Sequence, residues 1–217
     1  MLPEHALHAM PYWHFITRLG EAEILLPAAL LTAGALLARP HTRRLALGWM
    51  ALLALAATLT TASKLAFIGW GLGSAAMNFT GVAGHAMFAS AIYPVLMLTF
   101  VPGASRSRWH FALGLGLALA LLVAISRLAV GAHSLSEVLA GLLVGGSVTA
   151  ATLAWYPSTG LAMRPIVPAL LLAWVAVTPF QLQASQTHSL VTRLALAMSG
   201  HEAPYTRAEL LRHRQST

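Results

Sequence analysis

Six apolar runs, near residues 22–38, 45–68, 85–101, 110–126, 135–156 and 165–182, leave this chain few folds to choose from. A helix crossing a bilayer needs about 20 predominantly apolar residues and must satisfy its backbone hydrogen bonds within itself. The runs predict an all-α, polytopic membrane bundle with about six transmembrane helices. Pro168 and Pro179 interrupt the last run, and a bundle can absorb them because neighbouring groups satisfy the freed carbonyls. The balance of 58% hydrophobic against 9% charged residues argues against an ordinary soluble domain, in which roughly a quarter are charged.

The short loops set the expected orientation. Arg39, Arg43 and Arg44, then Arg106 and Arg108, then Arg164 fall on one side of the bundle. The positive-inside rule assigns 39–44, 102–109 and 157–164 to the cytoplasm, with both termini and segments 69–84 and 127–134 outside. The expected location is a bacterial inner membrane with the active site on the outer, periplasmic face. The first 21 residues lack the basic start and apolar core of a cleavable signal, and Pro11-Tyr12-Trp13-His14-Phe15 suits an interfacial aromatic anchor.

Residues 1–182 read as one membrane domain and 183–217 as a tail, in which 188–199 and 204–214 suit two short amphipathic helices at the interface. Pairs of small residues, Gly114 with Gly116 and Gly141 with Gly145, predict close helix approaches. The uncharged, glycine-rich stretch 69–84 reads as a re-entrant or surface loop. A net charge of +7 is accounted for mostly by topology, and no basic stripe with interleaved aromatics points to nucleic acid. Membrane lipids, anionic ones above all, are the expected partners. The absence of cysteine removes disulfides, thiolate catalysis and cysteine metal sites.

Against this apolar background the ionisable residues are conspicuous. Between Glu23 and Glu202 the only carboxylate is Glu137, and the only lysine in the chain is Lys64. Ionisable groups at membrane depth are costly and usually face a bundle interior or a water-filled cavity. The expected topology gathers Lys64, His85, Arg127, His133 and Glu137 at the outer ends of spans two to five. Such a set has the parts for metal-free phosphoryl transfer: cations for the phosphate oxygens, a histidine nucleophile, a second histidine as proton donor and an orienting carboxylate. Glu137 lies four residues after His133, so a helix beginning near Ser134 lets it hold the proton on Nδ1 and leave Nε2 for attack. Arg127 adds a planar fork matched to phosphate. Ser134-Leu135-Ser136-Glu137 is also a capping box, which needs no catalysis to explain it.

Ser126-Arg127, five residues, His133, three residues and an acid together resemble the third signature of the type 2 phosphatidic acid phosphatase superfamily, the lipid phosphatases related to vanadium haloperoxidases. Gly84-His85 resembles the end of the second signature, Pro-Ser-Gly-His, and Lys64 the lysine that opens the first. The resemblance covers roughly residues 15–156. It implies that His133 forms a phosphohistidine, that Glu137 stands in for the usual aspartate and that His85 protonates the leaving oxygen. Lys64, Arg127 and the Gly84 amide would bind the phosphate, with no metal or other cofactor. The implied activity is hydrolysis of a lipid phosphate or diphosphate of the phosphatidate, phosphatidylglycerol phosphate or polyprenyl diphosphate class.

The chain departs from the family at Gly71-Leu72, where the first signature has Arg-Pro, and at Val82-Ala83, where the second has Pro-Ser. Those departures keep open a catalytically impaired relative that binds or moves anionic phospholipids. A zinc site formed by His85, His133 and Glu137 is a third reading, disfavoured because Lys64 and Arg127 would repel a cation.

Overall fold

A computed structural model describes residues 12–101, 105–155, 161, 166–181 and 187–215. Each apolar run coincides with a helix: α1 (Ala22–Leu37), α2 (Arg43–Trp70), α3 (Gly84–Leu98), α4 (Arg106–Ala129), α5 (Leu135–Trp155) and α6 (Ile166–Gln181). Two further helices follow, α7 (Thr187–Ser199) and α8 (Arg207–Gln215). Among the described residues there is no strand, only an isolated antiparallel bridge between Ser74 and Phe79.

Among the described residues four segments are long and apolar enough to cross a membrane: Tyr12–Leu37, Arg43–Trp70, Arg106–Ala129 and Leu135–Trp155. The expected count of about six falls to four by that measure, because α3 has 15 residues and α6 has 16. The difference has a physical basis in α3. It occupies the centre of the bundle, where 13 of its 15 residues are buried. A helix shielded by protein needs neither the length nor the lipid-facing surface of a peripheral span. At 1.5 Å per residue α3 is about 22 Å long. The long spans instead carry exposed leucines, such as Leu55 and Leu59 on α2, Leu117 and Leu121 on α4, and Leu139 and Leu143 on α5.

Small residues bring α4 and α5 onto α3. A Cβ at Gly145 would collide with the Met87 carbonyl and Ser90 Oγ, and one at Gly141 would meet the Ala83 carbonyl at 2.5 Å. Gly116 packs in the same way on Pro94, whereas nothing lies within 4 Å of a Cβ at Gly114. Polar pins complete the packing. Trp49 Nε1 donates to the Ala91 carbonyl at 3.0 Å, Thr149 Oγ1 to the Ser90 carbonyl at 2.7 Å, and Tyr93 Oη to the Leu19 carbonyl at 2.8 Å.

The connections at one end of the bundle build a cup. After α2, Gly71 takes a left-handed conformation (φ 68°) and ends the helix, its N–H bonded to the Phe67 carbonyl. The expected loop over 69–84 begins inside the last turn of α2 and then folds back on itself through reciprocal bonds between Ser74 and Phe79, each 2.9 Å. The tail helices pack here too. Ala195 of α7 is buried against Phe67 and Ile68, the Tyr205 N–H donates to the Ile68 carbonyl at 3.0 Å, and His201 Nδ1 bonds the Gly69 carbonyl at 2.7 Å. The other face of α7 leaves Leu190, Leu194 and Met198 exposed.

Candidate active site

The cup encloses a cavity of about 610 Å³ lined by Lys64, Gly84, His85, Arg127 and His133, with Thr60, Thr80, Glu21, Tyr205 and Arg207 among the other lining residues. Glu137 lies directly behind His133. All six residues singled out in the sequence therefore converge, although they come from α2, α3, α4, α5 and the connection between α4 and α5.

Each is positioned by local structure. Lys64 sits one turn after Thr60 on α2, and a Cβ on Gly84 would lie 3.7 Å from its Nζ. On the central helix only His85 and Phe88 escape full burial, and both face the cavity. Gly20 lets the N-terminal segment approach, since a Cβ there would meet the His85 Cβ at 3.0 Å and overlap Val123. The six-residue step from Arg127 to His133 is a compact helix end. The Arg127 carbonyl accepts from the N–H groups of Ala132 (3.1 Å) and His133 (3.3 Å), while Gly131 takes φ 65°. That turn puts guanidinium and imidazole on one wall.

Glu137 is fully buried and its carboxylate is the hub of the site. It accepts from His133 Nδ1 at 2.8 Å, from the Ser134 N–H at 3.1 Å, and from the Thr80 N–H at 2.7 Å and the Thr80 hydroxyl. Arg207 Nη2 reaches both oxygens, at 2.8 and 2.7 Å. The capping-box contact and the contact to His133 coexist, because the same carboxylate oxygen serves the Ser134 amide and the imidazole. The bond to Glu137 favours the imidazolium form of His133, but burial outweighs it and lowers the histidine below its ordinary value of 6.5.

Arg127 is anchored through Nη1 to Thr17 Oγ1 at 2.7 Å, which leaves its buried Nε with no protein partner. Thr60 Oγ1 is likewise buried and unpartnered. Lys64 and Arg127, two cations on the wall of one cavity, suit an anion. Glu21 places a carboxylate on the same wall, and its Oε1 lies 3.7 Å from Arg18 Nε. Among the described residues no three His, Cys, Asp or Glu side chains are grouped to hold a metal ion. His133 Nδ1 and Glu137 are instead committed to each other and to Arg207, a donor set ill suited to a cation.

Sequence reasoning did not single out Thr60, Thr80 or Arg207. For Arg207 a partial signal existed, since Thr206-Arg207-Ala208-Glu209 is a capping box that starts a helix at the arginine. Nothing in the sequence directs that helix to Glu137.

The family model of the PAP2 superfamily matches residues 53–160, a stretch holding all six converging residues. The chain belongs to the PAP2 superfamily. Its members are phosphatases, so at the coarse level this PAP2 chain is an integral membrane phosphoric ester hydrolase. The chain is also similar to an uncharacterized 22.5 kDa protein in the cps region of Klebsiella pneumoniae. The two are 34% identical over 215 residues, covering 94% of this chain and 99% of the relative. No solved structure matches the chain significantly. The PAP2 match ends well before Arg207, which reaches the site from outside it.

Proposed function

We propose that this protein is a metal-independent membrane phosphatase that hydrolyses a lipid phosphate or diphosphate through a phosphohistidine. The observation that carries the reading is the His133–Glu137 pair at 2.8 Å beside a cavity lined by Lys64, His85 and Arg127. With its Nδ1 proton held by Glu137, His133 presents Nε2 as the nucleophile. Nε2 bonds to phosphorus as the ester P–O bond breaks, and His85 gives its proton to the leaving oxygen. Water then attacks the phosphohistidine, His85 takes a proton from that water, and the P–N bond breaks to release inorganic phosphate and free His133.

Lys64 and Arg127 offset the charge that builds on the phosphoryl oxygens. The first-turn amides of α3, beginning at Gly84, have no acceptors within the helix and add the positive end of its dipole. The lipid tails occupy the bilayer beside the bundle, and the site opens on the outer, periplasmic face. The residues at Gly71 and Ala83 favour a second reading, a relative that binds or moves anionic phospholipids without turning them over.

The test is phosphate release from a panel of monophosphate and diphosphate lipids in detergent and chelator. The wild type is expected to turn over at least one of them, with His133→Ala inactive. Turnover that survives His133→Ala overturns the mechanism, and binding without turnover across the panel selects the second reading.

A further inference from the structure

We infer that Arg207, delivered by the C-terminal segment, is a positioning residue of the catalytic pair that fixes the Glu137 carboxylate and through it His133. The inference rests on the reading of His133 as nucleophile. It gives residues 187–215 a part in the site itself.

A fully buried carboxylate is expensive unless charge and hydrogen bonds compensate it. Of the groups that bond Glu137, Arg207 alone is a permanent cation. Its Nη2 bridges both carboxylate oxygens, at 2.8 and 2.7 Å, which stops the group rotating about its own axis. The other arm of the fork is tied down as well. Nη1 donates to Asn78 Oδ1 at 2.9 Å and to the Asn78 carbonyl at 3.3 Å. The guanidinium thus joins the 71–83 loop to the carboxylate that orients His133.

The backbone that carries Arg207 is equally fixed. Arg207 is the first residue of α8, where Glu209 Oε2 accepts from the Thr206 N–H at 2.8 Å and from Thr206 Oγ1 at 2.9 Å. Two residues earlier, the Tyr205 ring lies 3.0 Å from where a Cβ on Gly71 would stand. Gly71 is the position at which the first signature of the family carries arginine. Here a left-handed glycine ends α2, Tyr205 covers it, and a guanidinium enters from 70 residues beyond Glu137.

The test measures kcat and KM for the wild type, Arg207→Ala and the similarly sized Arg207→Gln, alone and on a Glu137→Gln background. In parallel, the titration of His133 is followed by NMR in protein labelled with 15N-histidine, with His133→Ala giving the assignment. Both Arg207 variants are expected to lower kcat by about 10-fold or more with KM within about twofold, the mark of an interaction made in the transition state. The His133 midpoint is expected to rise, since the Glu137 charge then acts on the imidazole without a competing cation. On the Glu137→Gln background the loss is expected to shrink below about twofold, because residues acting through one another are not additive. Should Arg207→Ala fail to fold, Arg207→Gln carries the same expectations.

Additive losses, a change in KM alone, or unchanged kcat with an unmoved His133 midpoint each overturn the inference. If the wild type turns over no lipid, the proposed function fails separately. The His133 midpoint in wild type and Arg207→Gln then still decides the role of Arg207.

Discussion

Nδ1 of His133 lies 2.8 Å from Oε2 of Glu137, one helical turn further along the chain. In the proposed mechanism this bond holds the proton on Nδ1 and leaves Nε2 free to attack. Glu137→Gln keeps the shape but can present an N–H where the carboxylate accepted. It is expected to lower kcat by about 10²–10⁴-fold, as loss of the orienting acid does in a triad. Phosphate release at saturating lipid measures this, and a loss under twofold removes Glu137 from the mechanism.

The pH profile follows from the environment of His133. Burial holds its pKa below the ordinary 6.5, and in the proposed mechanism the neutral ring is the nucleophile. Activity is therefore expected to rise with pH along an acid limb centred below 6.5, set by His133, and to fall again once His85, the proton donor, loses its proton. A plot of kcat/KM from about pH 4.5 to 8 tests the sign. An acid limb centred above the free-histidine value contradicts the expectation.

Thr60 lines the cavity, and its Oγ1 is buried without a protein partner, one rotamer change away from a bound phosphate. Thr60→Val keeps the volume and removes the hydroxyl. A hydrogen bond to a charged group is worth about 1.5–3 kcal/mol, so kcat/KM should fall by about 10–100-fold. Steady-state kinetics with thermal unfolding in detergent separates this from a fold defect, for which Tm would fall with activity.

Gly71→Arg places the residue type of the family signature at its expected position and is predicted to impair the protein. The φ of 68° is unfavourable for any side chain, by about 1–2 kcal/mol, and the new Cβ would meet the Tyr205 ring at 3.0 Å. Limited proteolysis should show the C-terminal segment released and activity reduced. A gain in activity would mean that the arginine is needed at 71 after all.

Helix contact at the bundle centre is tested by neighbouring glycines. Gly145→Ala drives a methyl into the Met87 carbonyl and Ser90, whereas nothing lies within 4 Å of a Cβ at Gly146. The first is expected to cost about 1–3 kcal/mol, the usual range for overpacking, and Gly146→Ala to leave Tm nearly unchanged. Thermal unfolding of the two variants side by side reads the difference.

The positions of the helices were legible because lipid permits few ways to satisfy a backbone. Lys64, His85, Arg127, His133 and Glu137 stood out because ionisable groups are scarce in apolar runs and the third signature lies within 12 residues, Ser126 to Glu137. The number of helices that span was less legible, since hydropathy does not separate a run facing lipid from one like α3 buried in protein. Gly71 read as a loss, because its left-handed turn and the ring of Tyr205 above it depend on a segment more than 130 residues further on.

The sequence by itself determined an all-helical membrane chain and the local pair His133 and Glu137, whose four-residue spacing on a helix start joins them without outside help. Only the tertiary structure decided what surrounds that pair. Thr80, Thr60 and Arg207 lie on segments whose apolar or polar character says nothing about their neighbours, and Arg207 meets Glu137 across 70 residues. Helical periodicity couples residues three or four apart, and contacts across the bundle are set by which helix faces pack.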